Sequence, residues 1–156
     1  MTSLDGLEQL SVLGFLGQLL VAYVLALPIA FDRERAHRSA GLRTFPIVSL
    51  ASCAFLLIAI DMFGNEPEAL ARVLYGLMTG IGFIGGGAIV KQQGVAHGTA
   101  TAASIWSTAA VGASVAFGRY EIAITIAVMV FLTLLAFRPI KGAVQRDGSE
   151  DTDRRS

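Results

Sequence analysis

Side chains that could do chemistry are concentrated in two short polar segments of an otherwise apolar sequence, residues 32–44 and 91–101. The first segment opens with the alternating charges Asp32-Arg33-Glu34-Arg35. Four arginines within eleven residues suit binding of anionic lipid headgroups and the setting of membrane topology, but those roles do not explain the carboxylates between them. Acids inside a basic loop indicate fixed salt bridges between loops, or a site for a specific ligand. The predicted polar cluster comprises Asp32, Arg33, Glu34, Arg35, Arg43, Thr44, Lys91, His97 and Thr101.

Local spacing makes further predictions for the first segment. In a continuing helix, Asp32 can pair with Arg35 at i, i+3, and Glu34 can pair with Arg38 at i, i+4. Gly41 is a natural position for a turn with positive φ. Both acids of this segment therefore have an arginine available as a partner by spacing.

A second candidate is Asp61, near the end of an apolar stretch, with Arg72 at the start of the next. Charged side chains are expensive in a bilayer, about 2.5–3.5 kcal/mol at the centre on insertion scales. One interpretation is an interfacial ion pair that fixes the hairpin between two helices. The other is that Asp61 marks the mouth of a cation path, with Glu66 and Glu68 concentrating cations. Since Mg²⁺ takes one or two carboxylates plus waters, a Mg²⁺ site would require two copies of Asp61.

Motifs of soluble enzymes are missing from the sequence. It contains no nucleophile elbow, P-loop, dinucleotide fingerprint or Cys/His metal spacing. His97 and Ser104 could share a helix face, but a Ser and a His without an orienting acid do not make a hydrolase. The formal net charge is 0, which gives no field that would attract nucleic acid. We expect a protein that is not an enzyme, with no cofactor other than a potential Mg²⁺ ion.

The elements that position these residues are predicted to be transmembrane helices. Apolar residues make up 54% of the 156-residue chain and charged residues only 15%. A helix needs about 20 mostly apolar residues to cross a bilayer. The sequence predicts an all-α bundle of five transmembrane helices in a domain spanning residues 1–138, followed by a disordered tail at 139–156. The predicted helices are 12–31, 45–63, 70–90, 99–117 and 120–137.

The distribution of basic residues predicts the orientation of the bundle. Ten of the twelve Lys and Arg residues lie in the first loop, the third loop and the tail, and only Arg72 and Arg119 lie on the other side. Because basic loops stay in the cytoplasm, the amino terminus is expected outside and the tail inside, in a bacterial inner membrane. A cleaved signal peptide is disfavoured, since the amino terminus begins with acids rather than a basic region.

Small residues predict how the helices pack. Gly76, Gly80 and Gly87 fall within about 40° on a helical wheel, and Gly82 and Gly86 lie on another side. In the 21 residues Gly98–Gly118, 16 are Gly, Ala, Ser or Thr. Such surfaces allow backbones to approach closely in lipid, so spans three and four are expected to form the core and the bulky fifth span to face lipid. Packing is favoured over the lining of a pathway for these glycines: Gly76, Gly80, Gly82, Gly86, Gly87 and Gly98.

Three ordered motifs resemble the MgtC/SapB family of bacterial membrane proteins. They are Asp32-Arg33-Glu34-Arg35 followed by Ala40-Gly41-Leu42-Arg43-Thr44, the glycine-rich run Gly80–Gly87, and the run His97–Trp106. Two departures stand out. Thr99 and Ala100 occupy positions where the family usually has Leu and Thr, and only about 18 residues follow Arg138, whereas the best-studied members carry a soluble cytoplasmic domain.

The resemblance implies two different functions. The family was named for magnesium transport. Its members are linked to growth at low magnesium and to virulence, that is, survival inside host cells. Some members act by restraining the membrane ATP synthase. We therefore expect a regulatory membrane protein that contacts lipid, a partner such as the ATP synthase, or a second copy in a homodimer. The alternative is a transporter or channel for Mg²⁺ or another cation.

Overall fold

A computed structural model describes residues 2–36, 40–64, 66–92 and 95–137, and the side chains of these residues except 2–11 and 92. The predicted tail at 139–156 lies outside the described residues, as does Arg38, the expected partner of Glu34. Five helices and one short hairpin make up the described chain. They are α1 (Thr2–Arg35), α2 (Thr44–Phe63), α3 (Pro67–Gly87), β1 (Val90–Gln92), β2 (Val95–His97), α4 (Thr99–Ala116) and α5 (Tyr120–Ala136).

Three helices are long and apolar enough to cross a membrane. They are the part of α1 from Val12 to Arg35, and the whole of α2 and α3. The fifth helix is apolar but has only 17 residues, and the hydroxyl-rich α4 does not reach the same hydropathy. The predicted helical bundle and the number of its helices are confirmed, whereas five crossings and their orientation stay predictions.

The bounds of two helices differ from the expected ones by three residues or more. The first helix begins at Thr2, ten residues before its predicted start, and continues through Pro28 to Arg35, four residues beyond its predicted end. The third begins at Pro67, a residue suited to the first turn of a helix because it has no N–H to satisfy, and ends at Gly87 instead of residue 90. It ends early because Val90 pairs with His97 in an antiparallel hairpin that the sequence analysis did not predict.

The fourth helix lies at the centre of the bundle, as its small residues predicted. It packs against α1, α2, α3 and α5. Its closest approach is to α2 at Gly112, where an added Cβ would overlap the backbone carbonyl of Ser49. Side chains of Val111 and Val115, next to this crossing, are fully buried. The absence of bulk on α4 therefore allows four helices to pack around one.

The third helix lies at the periphery, so the expectation that it shares the core with α4 is wrong. Only Ile81 and Gly85 are buried on it. Contact with α4 is made at Gly85, where an added Cβ would lie 3.4 Å from the carbonyl oxygen of Ala102. The inward side of α3 is narrow because α2, and not α3, lies closest to α4. In α5 only Ala123 and Ala127 are buried, as expected for a helix that faces lipid.

Hydrogen bonds between helices supplement this packing. Ser49 Oγ donates to the carbonyl of Ala22 on α1 at 2.8 Å, and Gln18 Nε2 donates to the carbonyl of Val115 on α4 at 3.2 Å. Such bonds contribute about 0.6 kcal/mol each in a measured membrane protein. Among the described residues, every buried side-chain nitrogen and oxygen has a hydrogen-bond partner. The bundle thus keeps its polar groups satisfied without water.

The α2–α4 crossing predicts a large effect of one methyl group. Gly112→Ala should lower the free energy of unfolding by about 1–3 kcal/mol, the usual penalty of overpacking, because the new Cβ meets backbone that cannot rotate away. Denaturation with SDS in mixed micelles measures the change. Gly17→Ala is the matched control, since Gly17 is a helical glycine with open space around it. Equal stability of the two variants would contradict the close contact between α2 and α4 at Gly112.

Candidate functional site

A buried ion pair forms the centre of the polar cluster. Arg33 Nη2 lies 2.6 Å from Asp32 Oδ2, and Arg33 Nε donates to the same oxygen at 3.1 Å. Exposure of the two side chains is only 7% for Arg33 and 1% for Asp32. The predicted pairing of Asp32 with Arg35 is replaced by this pairing with the neighbouring residue. A buried pair of this kind is costly to break, because removing one partner leaves the other charge uncompensated.

Glu34 closes the loop between α1 and α2 by a hydrogen bond to the backbone. Its Oε2 accepts the N–H of Leu42 at 3.0 Å. A side chain at the preceding residue, Gly41, would overlap the Glu34 carboxylate. The glycine thus leaves room for the Glu34 side chain in this position, and it does not adopt the expected positive φ, which among described glycines occurs at Gly64, Gly98 and Gly118. The acid in this basic loop therefore has a structural task.

The remaining members of the cluster do not converge on one point. The guanidinium of Arg35 lies over the ring of Phe31, 4.5 Å from its centroid, and Arg43 is exposed beside the half-buried Thr44. Lys91 and His97 are exposed on the hairpin, where Lys91 is opposite Ala96 and His97 is opposite Val90. Because side chains alternate along strands, these two residues point to opposite faces.

The last member of the cluster, Thr101, and the packing glycine Gly98 both act in the packing of α4. Thr101 is buried on its first turn with 2% exposure. Gly98 immediately precedes the helix in the left-handed conformation, and an added Cβ there would overlap the carbonyl of Ala88 after α3. The close backbone contact predicted for Gly98 is therefore made with the end of α3 and not with the side of another helix.

The second candidate site is open and does not contain the expected ion pair. Asp61 is exposed near the end of α2. Arg72 lies 3.4 Å from Glu68, one turn earlier on α3, and both side chains are about 80% exposed. Exposed pairs of this kind contribute little to stability. In the described parts of the chain, no three His, Cys, Asp or Glu side chains come together as a metal site.

The glycine face of α3, defined here as Gly76, Gly80 and Gly87, points away from the bundle. At 100° per residue it lies between about 140° and 180° from Gly85, the residue that contacts α4. An added Cβ at any of these three glycines would have nothing within 4 Å, and the same holds for Gly82 and Gly86. The surface that would allow another backbone to approach is therefore unpartnered within the described chain.

Sequence reasoning missed three features near these sites. The sequence Gln92-Gln93-Gly94-Val95 was a usable signal for a hairpin, because short turns that contain glycine connect antiparallel strands. Serines inside the apolar α2 could have indicated the hydrogen bond of Ser49 to α1. The ion pair between Arg119 Nε and Glu121 Oε1, 2.6 Å apart, had only the weak signal of two charges flanking a helix start.

Comparison with known proteins gives relatives along most of the chain. Residues 19–143 match the model of the MgtC family. The protein SrpB of Synechococcus elongatus is 33% identical over 141 residues, which cover 83% of this chain and 78% of SrpB. YhiD of Escherichia coli K12, which has the provisional name of magnesium transporter, is 32% identical over 135 residues, or 81% of this chain and 61% of YhiD. No solved structure matches the chain.

A further relative is the protein MgtC of Salmonella typhimurium LT2, 27% identical over 131 residues. The alignment covers 84% of this chain and 55% of MgtC. The chain therefore spans a little more than half the length of MgtC and of YhiD, although it spans most of SrpB. The family match over most of the chain agrees with the resemblance of its three motifs, and the chain belongs to the MgtC family.

Proposed function

We propose that this protein is a regulatory membrane protein that acts through helix–helix contacts in adaptation to low magnesium. Its partner is a membrane complex such as the ATP synthase, or a second copy in a homodimer. The observation that carries the proposal is the outward glycine face of α3, which has no neighbour within the described chain. Because lipid offers no hydrophobic drive for helix association, a face that permits close backbone contact is suited to binding another helix.

The proposal includes a complete topology of five crossings. The 18-residue α4 and the 17-residue α5 are shorter than a typical span of about 20 residues. The turn between them is short, and α4 is enclosed by the other helices, so its modest hydropathy need not face lipid. With ten basic residues on one side, the amino terminus lies outside and the polar cluster lies at the cytoplasmic face of the inner membrane.

In this arrangement the polar cluster is a rigid support for exposed basic side chains. The Asp32–Arg33 pair and the bond from Glu34 to Leu42 fix the end of α1 and the following loop. Arg43 and Lys91 remain exposed at the same face. They are available to anionic headgroups or to the cytoplasmic surface of a membrane partner.

The glycine face predicts where the partner contact can be broken. Gly76→Leu and Gly80→Leu should each weaken co-purification of a tagged chain with its partner by about tenfold or more, since overpacking at a helix contact is worth about 1–3 kcal/mol. The assay measures ATP synthase subunits and a differently tagged second copy in the same eluate. Each variant is also expressed in cells that lack the native gene. The growth of these cells at limiting magnesium should fall in parallel with partner recovery.

The matched control for these variants is Gly17→Leu. Gly17 is also an exposed helical glycine with nothing near an added Cβ, but it lies on α1. Its partner recovery and growth should equal those of the wild type. Unchanged partner recovery and growth in the α3 variants would refute the regulatory proposal.

Cation transport is the second candidate function, supported by the name of YhiD and by the acids near the end of α2. From Val12 onward, the acidic side chains of the described residues lie near helix ends or in loops. A path through the bundle would therefore lack acidic ligands along its middle. Transport would depend on Asp61 from more than one copy.

Ion flux separates the two candidates. The regulatory proposal predicts no Mg²⁺ entry above that of empty vesicles when the full chain is reconstituted with verified orientation and followed with an internal Mg²⁺ dye. Flux that is lost in Asp61→Asn but kept in Glu121→Gln would instead establish transport. Glu121 is the control because it is an exposed acid at the start of α5 that the cation-path interpretation does not use.

A further inference from the structure

An apolar groove lies between α3 and α5 with α4 as its floor. Its volume is about 500 Å³. The floor is formed by the small side chains of Ala109, Ala110 and Ala113, and the walls include Leu77 on α3 and Ile122 on α5. The groove exists because α4 presents only small side chains on this face between Trp106 and Phe117.

The groove extends over about one leaflet. Trp106 lines one end and Phe117 lines the other. Eleven helical steps of 1.5 Å separate these residues, or about 17 Å along α4, against about 30 Å for the whole hydrocarbon core. A transmembrane helix from a second copy would continue beyond the end of the groove through the rest of the bilayer. A groove that ends near the middle of the bilayer fits an acyl chain better than a helix.

A pair of opposite charges lies at the interfacial end of the groove. Arg119 lines the groove beyond Phe117, and its Nε lies 2.6 Å from Glu121 Oε1. Both side chains are more than 60% exposed. A guanidinium has five N–H donors, and the ion pair uses one of them. A phosphate can therefore bind the outer edge of Arg119 while an ammonium group binds Glu121.

We propose that this groove binds a phospholipid with a phosphate and a primary ammonium in its headgroup, that is, phosphatidylethanolamine. One acyl chain lies on the alanine floor and ends near Trp106. The phosphate accepts hydrogen bonds from Arg119, as guanidinium groups favour, and the ammonium donates to Glu121. Phosphatidylglycerol lacks the cation, and phosphatidylcholine lacks N–H donors. The site requires α3, α4 and α5 to cross the membrane but is independent of the glycine face and its partner.

Fluorescence of Trp106 provides the test, since it is the only tryptophan of the chain. The full chain is reconstituted in mixtures of phosphatidylcholine with one brominated lipid, and quenching is measured against the fraction of that lipid. A lipid held by both charges should bind about tenfold more tightly than bulk lipid, since hydrogen bonds to charged groups are worth about 1.5–3 kcal/mol. Brominated phosphatidylethanolamine should therefore quench at a lower fraction than brominated phosphatidylglycerol or phosphatidylcholine.

Two variants assign the effect to this site. Arg119→Gln should bring the affinity for phosphatidylethanolamine, relative to that for the other two lipids, close to one. Arg72→Gln is the matched control and should keep the preference, because Arg72 is also an exposed arginine paired with a glutamate but does not line the groove. The headgroup comparison on the wild-type chain needs no variant, so the test holds even if a variant fails to fold.

Three results would overturn the proposal. One is equal quenching by the three brominated lipids in the wild type. Another is a preference that survives Arg119→Gln. The third is cross-linking between copies through Ala110→Cys in a Cys53→Ala background, which would show that a helix of a second copy occupies the groove.

Discussion

The close approach of α4 to its neighbours is the interaction on which the rest of the bundle depends. In hydrocarbon, apolar side chains gain nothing by leaving lipid for protein, so association relies on van der Waals contact between well-fitted surfaces and on hydrogen bonds. At Gly112 the α4 backbone lies against the carbonyl of Ser49 with no room for a methyl group. The hydroxyl of the same serine bonds to Ala22 on α1. One crossing therefore ties three helices together.

The third helix has a narrow buried edge. It buries only Ile81 and Gly85, while Leu74 and Leu77 pack partly buried against the core. The glycines on its opposite side then have no neighbour within the described residues of one copy. The same arrangement separates α3 from α5 and creates the groove over the alanines of α4. The two surfaces proposed for binding, one for a helix and one for a lipid, thus have a common origin in the packing of α4.

Much of this architecture could be predicted from the sequence. Apolar runs located the helices, and the small residues of α4 placed it at the centre. The third helix was wrongly placed in the core, because a wheel identifies faces but does not say which face points inward. The partner of Asp32 was also mispredicted. Helical spacing suggested Asp32 with Arg35, whereas the structure pairs Asp32 with Arg33 and places Arg35 over Phe31. Partner choice at a helix end depends on the loop that follows, which spacing alone does not encode.

The rotation of α3 about its axis is the point that a single measurement tests most directly. An ideal Cβ on Gly85 lies 3.8 Å from the Cβ of Ala102, the mean separation found in disulfides. In a Cys53→Ala background, Gly85→Cys with Ala102→Cys should form an intramolecular disulfide in native membranes on mild oxidation, seen as a mobility shift. Gly87→Cys with Ala102→Cys should form none, because Gly87 is on the outward face. The reverse pattern would mean that the glycine face points into the bundle, and the account would be wrong.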